Sequence, residues 1–285
     1  MLSAYLVAVL ALAAPTARFD TTFAVPRDAR IHLDNLNGSI EIRAWDRNAV
    51  RIEPSRGTTD RIDIRTAGSY VHVRAVGSHS RTRAVTYVVS VPVRAAVRIT
   101  GPFSDVSVSG TEGEIVVDVV QGDVRVRGGS GVIDLRSVQG GVVLEDARGR
   151  ITLATVNSGI RATRVSGFVR AETVNGAIRL EDVDAGDVVA SAVNGQISFR
   201  GVIHDDGRYS LSTHNGSVVV EIPEGTNATV AVSTVTGAVD LGIPVTLTEV
   251  RRGERFSVTL GRGTARIDLE SFNGTIQIRR LTDRR

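Results

Sequence analysis

The sequence predicts an all-β protein, a single-chain parallel β-solenoid with about 18 residues per coil and irregular β caps at both ends. Three observations lead to this expectation. A turn residue recurs about every nine residues between Gly113 and Gly216, a carboxamide stands at every second turn, and apolar residues alternate with polar ones between the turns. Such a fixed period is typical of repeat architectures, in which each unit buries its apolar face only against its neighbours.

The carboxamides set the length of the predicted coil. They follow one another at intervals of 18, 18, 18, 19 and 21 residues, at Gln121, Gln139, Asn157, Asn175, Asn194 and Asn215. Identical carboxamides on paired strands, about 4.8 Å apart, can hydrogen-bond to one another along the stack. We therefore expect these six side chains to form a structural column at one corner of the fold.

Apolar residues occupy positions three, five and eight after most turn residues, and we expect all three positions to form the core. The two-residue spacing of positions three and five is that of a strand with one buried face. The residues are Ile115, Val117, Val120, Ile133, Leu135, Val138, Ile151, Leu153, Val156, Ile160, Ala162, Val165, Ile178, Leu180, Val183, Ile197, Phe199 and Val202.

An antiparallel meander or sandwich is the alternative fold, because Asn-Gly between strands is also a strong hairpin signal. A meander gives no reason for the turn chemistry to alternate strictly between carboxamide-Gly and other turns. A coil with two different corners does give a reason, so the parallel arrangement is favoured.

The chain is expected to contain a signal peptide and one domain. Residues 1–17 hold a short apolar run that is too short to cross a bilayer but is typical of a secretory signal. Residues 18–285 form the predicted domain, with the N-terminal cap and first coils in 18–105, regular coils in 106–220 and irregular C-terminal coils in 221–285. The expected location is the periplasm or the cell surface, with no transmembrane span beyond the signal segment.

Composition limits the possible partners. The chain has 34 basic residues, all of them Arg, 31 acidic residues, a net charge of +3 and no Cys. Arg alternates with Asp or Glu along most strands, and no basic stripe with interleaved aromatics occurs, so nucleic-acid binding is not expected. Without Cys, disulfides cannot stabilise the fold.

Catalytic and cofactor motifs are absent from the sequence, and we expect no enzyme activity, no cofactor and no metal site. The densest polar cluster is His204, Asp205 and Asp206, with Tyr209 and His214 nearby, and these are residue types that bind Zn²⁺ or Ca²⁺. In the predicted coil, however, the bend at 204–206 and the bend at His214 lie at opposite corners. A polar loop is therefore expected there.

Several motifs, taken in order, resemble the putative-adhesin family of bacterial β-strand-repeat proteins of unknown function, which is related to autotransporter adhesin head domains. They are Asn35-Leu36-Asn37-Gly38-Ser39-Ile40-Glu41-Ile42 with Trp45-Asp46, Val89-Ser90-Val91-Pro92, the Thr-Val-Asn-Gly repeats and Phe272-Asn273-Gly274-Thr275-Ile276. The resemblance covers roughly residues 19 to 280. It implies a right-handed parallel β-helix in an exported or envelope-associated protein, and it supplies no catalytic residues.

The function expected from these observations is that of an exported cell-envelope structural or binding protein. It would be adhesin-like and would present an extended, repeated β-face to an unidentified envelope protein or glycan. One alternative is an envelope-stress sensor or accessory factor that binds a partner protein. A second is a polysaccharide-active β-helix enzyme, and end-to-end self-association of the chain is a further possibility.

Overall fold

The computed structural model describes residues 20–54, 61–76, 84–243, 247–250 and 255–281. Strands make up 73% of the structure, and the described residues contain no helix. No long apolar helix able to cross a membrane is therefore found in this part of the chain. The predicted signal peptide, residues 1–17, lies outside the described residues.

Twenty-three strands are present in the described residues. They are β1 (Thr21–Ala24), β2 (Arg30–Asp34), β3 (Asn37–Trp45), β4 (Ala49–Pro54), β5 (Arg61–Ala67), β6 (Tyr70–Val76), β7 (Val85–Pro92), β8 (Ala96–Ser109), β9 (Ile115–Gln121), β10 (Val124–Arg127), β11 (Ser130–Ser137), β12 (Val142–Thr155), β13 (Ile160–Asn175), β14 (Ile178–Asn194), β15 (Ile197–Gly201), β16 (Arg208–Asn215), β17 (Val218–Ile222), β18 (Ala228–Thr236), β19 (Val239–Leu241), β20 (Leu247–Val250), β21 (Arg255–Leu260), β22 (Ala265–Asn273) and β23 (Ile276–Arg280).

These strands form one hydrogen-bonded sheet that contains two rows of parallel neighbours. The first row runs β6, β2, β8, β9, β11, β12, β13, β14, β16, β22 and β18. The second runs β7, β3, β8, β10, β12, β13, β14, β15, β17, β23 and β19. The long strands β8, β12, β13 and β14 bend and take part in both rows.

The core lies between the two rows and consists mainly of aliphatic side chains. Ile115, Ile133 and Ile151 occupy neighbouring strands in register, and each is fully buried. Tyr87 and Tyr209 are the largest fully buried side chains in the described part of the chain. Each fully buried aliphatic side chain stabilises the fold by about 1.5 to 3 kcal/mol, so the long apolar interior is the main source of stability.

The prediction of a single parallel β-solenoid with about 18 residues per coil was wrong. Strands β8, β9, β11, β12 and β10 pair in a closed ring of five parallel strands, as in a barrel, within the 23-stranded sheet. The separation between paired residues is 18 at Asn157 and Asn175, but 58 at Asn215 and Asn273. A local repeat in the sequence specifies strands and turns, but it does not specify which distant segments pair.

At both ends, the order of strands in the sheet departs from their order in the chain. Strands β2 and β3 lie between β8 and the later strands β6 and β7. Likewise, β22 and β23 lie between β16 and β17 on one side and the earlier strands β18 and β19 on the other. Antiparallel strands pair with the terminal strands of the two rows. Strand β5 pairs with β6, β4 with β7, β1 with β4, β21 with β18 and β20 with β21. In the part of the chain that the structure describes, antiparallel pairing, the basis of the alternative prediction, is thus confined to the ends.

The predicted burial of position eight is correct for two residues at the corner without carboxamides, and it is wrong for Val202 at that corner and for the valines at the carboxamide corner. Val165 and Val183 are buried, whereas Val120, Val138, Val156 and Val202 are exposed. In β13 and β14, the residue before the buried valine has a left-handed backbone, with φ of 52° at both Arg164 and Asp182. That residue interrupts the two-residue alternation, and the next side chain turns inward. No such residue precedes the four exposed valines, so the alternation continues and they face solvent.

At the carboxamide corner, position seven is buried in place of position eight. Its hydroxyl side chains bond to backbone carbonyl groups of the turn: Ser137 donates to Gly122, Thr173 to Ser158 and Thr213 to Gly195, at 2.9, 2.9 and 3.0 Å. These bonds compensate the cost of burying a hydroxyl group. A Ser/Thr column therefore lines the inner side of this corner.

Glycine follows each of the six predicted carboxamides except Asn157, because neighbouring turns approach one another closely. A Cβ atom at Gly195 would collide with the carbonyl oxygen of Gly176, which belongs to the backbone and cannot move aside. We expect Gly195→Ala to destabilise the protein by about 1 to 3 kcal/mol, the usual cost of overpacking. Gly186→Ala is the matched control, since a Cβ there meets nothing within 4 Å. Urea unfolding of both variants measures the effect, and equal stabilities would contradict the close approach.

Asp146 generates a pH-dependent prediction at the left-handed corner. It accepts hydrogen bonds from Arg164 at 2.6 Å and Arg127 at 3.0 Å, and the bond from Arg164 is the main cause that lowers the pKa of Asp146 below its ordinary value of 3.8. Because the pKa of Asp146 is lower in the folded protein than in the unfolded chain, its ionised carboxylate stabilises the fold at pH values above the unfolded-state pKa. This contribution is lost as the pH falls through the folded-state pKa.

We expect Asp146→Asn, which tolerates the positive φ of 55°, to lower the melting temperature at neutral pH. The difference from the parent should shrink as the pH falls below about 4, because the parent carboxylate then becomes protonated. Asp240→Asn removes an exposed carboxylate outside this ion-pair group and serves as the control. A difference in melting temperature that stays constant with pH would refute the role of the ion pairs.

Candidate functional sites

The six predicted carboxamides lie in one column at the turn between the two rows. Gln121 donates to Gln139 at 2.6 Å, and Asn175, Asn194 and Asn215 each donate to the preceding Asn of the column at 3.0, 2.9 and 2.8 Å, with Asn157 as the first acceptor. Asn273, which follows much later in the chain, joins the column by donating to Asn215 at 2.9 Å. The side-chain bonds run parallel to the backbone bonds between strands, so this column ties successive turns together.

A row of exposed valines runs beside this column, and we call it the valine stripe. Each valine precedes a carboxamide and is between 37% and 45% exposed: Val120, Val138, Val156, Val174 and Val193. His214, Phe272 and Val235 continue the same line, and the rings of His214 and Phe272 stack with centroids 4.7 Å apart. The structure thus presents a line of exposed apolar and aromatic side chains, of which the sequence analysis had assigned Val120, Val138 and Val156 to the core.

The charged residues on the outer strand faces pair with one another. Arg125 contacts Asp123 at 2.6 Å, and Arg136 contacts Asp134 at 2.9 Å. Partners two residues apart on a strand share a face, so the regular alternation of Arg and acid neutralises charge within each strand. Each exposed pair contributes little to stability, but together they leave these faces with little net charge.

The polar cluster at 204–206 is divided among separate contacts. His204 bonds to Asp184 at 2.8 Å, and Asp205 accepts bonds from Asn227 and Arg262, both at 3.2 Å. The buried Tyr209 hydroxyl accepts from the His204 backbone N–H at 2.9 Å and donates to the Ala185 carbonyl at 2.9 Å, which fixes the bend. Burial raises the pKa of Tyr209. His214 stacks on Phe272 elsewhere, so these residues do not converge on one site.

A different cluster, not identified from the sequence, lies on the outer face of β2 and β6. His32 and His72 are in register, and their rings stack with centroids 4.9 Å apart. The Nε2 atoms of both point at the carboxylate of Asp34, 3.2 Å away for His32 and 2.7 Å for His72. Within the described residues, this is the group of His, Asp and Glu side chains whose ligand atoms are close enough together to hold a metal ion.

Two hydroxyl groups orient this cluster. Thr100, on the opposite side of β2, donates to Asp34, and the Tyr70 hydroxyl lies 3.2 Å from Nδ1 of His32. Burial alone would raise the pKa of Asp34, but hydrogen bonds from Thr100 and His72 outweigh it and lower that pKa. Burial lowers the pKa of His32, and the carboxylate of Asp34 only partly offsets this. The carboxylate is therefore charged and His32 is neutral at neutral pH.

One member of the cluster, His32, also lines a cleft with a volume of about 520 Å³. Besides His32, its polar lining consists of Arg30, Tyr70, Arg98 and Glu114, and Val116 adds an apolar wall. This cleft is formed largely by strands β2, β6 and β8. It arises because β2 lies between β6 and β8, so strands that are distant in the sequence are neighbours in the sheet.

Sequence reasoning missed this cluster because no repeat links β2 to β6. The available signal was the pattern His32-Leu33-Asp34, which puts an imidazole and a carboxylate on the same face of a strand. His72 is half-buried on the outer face of β6. Only the pairing of the two strands brings the three side chains together.

Comparison with known proteins shows no matching family model and no matching curated protein. Among solved structures, a putative adhesin from Bacteroides fragilis is 12% identical over 92% of this chain and 97% of its own, with a TM-score of 0.45. A putative cell adhesion protein from Clostridium sporogenes is 10% identical over 93% of this chain and 100% of its own, with a TM-score of 0.25. Neither is described as an autotransporter head domain, so the predicted relation to those domains is not supported. At this level of likeness, the two structures carry no argument about function.

The carboxamide column generates a stability prediction. Asn194 both donates and accepts a side-chain hydrogen bond, so Asn194→Ala removes two bonds of about 0.5 to 1.5 kcal/mol each. Because the amides are exposed, we expect each lost bond to lower the unfolding free energy by an amount near the lower end of that range. Gln196→Ala, two residues later at an exposed position, is the control. If the column stabilises the fold, Asn194→Ala unfolds at a lower urea concentration than Gln196→Ala. Equal stability of the two variants would contradict this role.

Proposed function

We propose that this chain is an exported, adhesin-like binding protein of the bacterial cell envelope that presents an extended, repeated surface to a partner protein. The observation that carries the proposal is the valine stripe. An ordered line of exposed apolar residues is uncommon on a monomeric protein and is typical of a surface that binds another protein. Export is supported by the apolar run in residues 1–17, which suits a secretory signal.

The surroundings of the stripe favour a protein partner over a glycan. A glycan offers hydroxyl groups that need hydrogen-bond partners on the protein, but the carboxamides beside the stripe already bond to one another. The charged groups on the strand faces are likewise paired, for example Arg136 with Asp134. What the stripe offers without competition is apolar area, whose burial contributes about 25 cal/mol per Å².

Repetition supplies the affinity in this proposal. Each valine offers a small contact, but the stripe repeats that contact at every strand along one straight line. A partner that engages one valine is held close to the next, so weak contacts add up to firm binding. An envelope-stress sensor or accessory factor would use the same surface toward its own partner protein.

A polysaccharide-active enzyme is the second candidate function, and the cleft beside His32 is the observation that favours it. Turnover of uronic-acid polymers by the purified protein would support this candidate. Asp205 and Asp206 lie far along the chain from the cleft, so the Asp205→Ala/Asp206→Ala variant should retain any such turnover. A loss of turnover in that variant would place the reaction elsewhere.

Charge substitution tests the binding proposal. We expect Val156→Asp/Val174→Asp to reduce binding of the labelled protein to isolated envelopes by about tenfold or more, because two charges cannot be buried against an apolar partner. Val132→Asp/Val202→Asp adds the same charge at exposed valines outside the stripe and is the matched control. Melting temperatures confirm that both variants are folded.

Treatment of the envelopes identifies the class of partner. Protease treatment should abolish binding, and periodate oxidation of glycans should leave it intact. Binding that survives protease and is lost on oxidation would replace the protein partner with a glycan. Equal binding by both double variants would remove the stripe from the interface, and fractionation with a C-terminal tag tests export separately.

A further inference from the structure

We propose that His32, Asp34 and His72 form a binding site for one divalent transition-metal ion of the zinc type, with a fourth coordination position left for water or another ligand. The ligand atoms of the three side chains all lie within 4.8 Å of one another. The arrangement is built into the fold, since parallel pairing of β2 with β6 sets the two imidazoles side by side. Asp34 follows on the same face of β2, two residues after His32.

The strongest observation is an unsatisfied ring nitrogen. Nε2 of His32 is buried and makes no hydrogen bond, although an oxygen of Asp34 lies only 3.2 Å away. A buried polar atom without a partner destabilises the folded protein, so such atoms need an explanation. An ion held between this nitrogen, Nε2 of His72 and the Asp34 carboxylate would satisfy the His32 nitrogen. It would replace the 2.7 Å hydrogen bond between His72 and Asp34, and the proton of that bond would leave when the ion binds.

The neighbouring hydroxyl groups complete the pattern of a metal site. A ligating imidazole usually donates its other N–H to an outer partner, which fixes the ring and its tautomer. The Tyr70 hydroxyl stands at that position for His32, next to Nδ1. In the tautomer with the proton on Nδ1, the Nε2 lone pair faces the carboxylate and is free to bind a cation. Thr100 holds the carboxylate of Asp34 in the same way.

The types of ligand indicate the class of ion. Two imidazoles and one carboxylate suit Zn²⁺ and similar transition metals, whereas Ca²⁺ and Mg²⁺ prefer sets of oxygen ligands. Three protein ligands leave a fourth position for water or another molecule. The cleft that His32 lines lies next to the site and is large enough for a small ligand.

Nearby arginines modify the expected affinity. Arg98 and Arg74 lie beside His32 and Asp34 on the neighbouring strands, and their positive charge opposes the binding of a cation. We therefore expect a reversible site that a chelator empties completely without unfolding the protein. The same charges favour an anionic group as the fourth ligand, since Arg30 and Arg98 both line the cleft.

Metal titration of the full chain without an affinity tag tests the proposal. After treatment with a chelator and dialysis, calorimetry should show one equivalent of Zn²⁺ bound at neutral pH. Co²⁺ should give the visible absorption bands of a four-coordinate ion. The melting temperature should rise on metal addition, because a ligand that binds only the folded state stabilises it.

Variants locate the site. His32→Ala and His72→Ala should each weaken Zn²⁺ binding by more than about 100-fold, which exceeds the usual effect of losing an outer partner. Tyr70→Phe, a positioning change, should weaken it by about tenfold. His204→Ala removes an imidazole that bonds to Asp184 outside the cluster and should leave binding unchanged. Asp34→Asn keeps the shape of the side chain and should abolish the four-coordinate Co²⁺ spectrum.

The results that overturn the proposal are equally definite. No binding by the parent protein, or binding that persists in His32→Ala and His72→Ala, would exclude the site. A loss of binding in His204→Ala would place the metal elsewhere. Melting temperatures of the metal-free variants show whether each is folded, and Asp34→Asn decides the question if a histidine variant is not.

Discussion

In-register pairing of parallel strands is the constraint on which this structure depends. Because each strand sits directly above an equivalent one, every position is repeated along the stack with the same environment. The isoleucines of β9, β11 and β12 form one buried line, the carboxamides form a hydrogen-bonded column and the valines before them form an exposed stripe. A contact or hydrogen bond that is weak at one residue is therefore repeated along the whole column or stripe.

The corners determine which side of the sheet a residue faces. A left-handed residue at Asp146, Arg164 or Asp182 interrupts the alternation of β12, β13 and β14, so the next side chain turns inward. At the carboxamide corner, the alternation continues, a hydroxyl side chain is buried and the next valine is exposed. The same apolar residue type thus serves the interior at one corner and the surface at the other, and the backbone at a single residue makes the difference.

The sequence was informative where the signal was local. Alternation identified Ile133 and Leu135 as buried, and the spacing of the carboxamides placed Asn175 and Asn194 together. It failed where the outcome depended on pairing between distant segments. Nothing in the repeat predicts that β2 lies beside β6, so the fold class was wrong and the cluster of His32, Asp34 and His72 went unrecognised. Position eight was misassigned because sequence periodicity does not reveal a left-handed residue.

The reversed order of strands at the ends has a consequence for assembly. Strands β18 and β19 pair with β22 and β23, which come later in the chain, and β22 and β23 in turn pair with β16 and β17. During synthesis, β18 and β19 thus lack their parallel partners until residues up to Arg280 have emerged from the ribosome, although β18 can pair with β21 earlier. Because β22 joins β16 to β18 and β23 joins β17 to β19, both rows are completed on this side of the molecule only after the last described strands have been made.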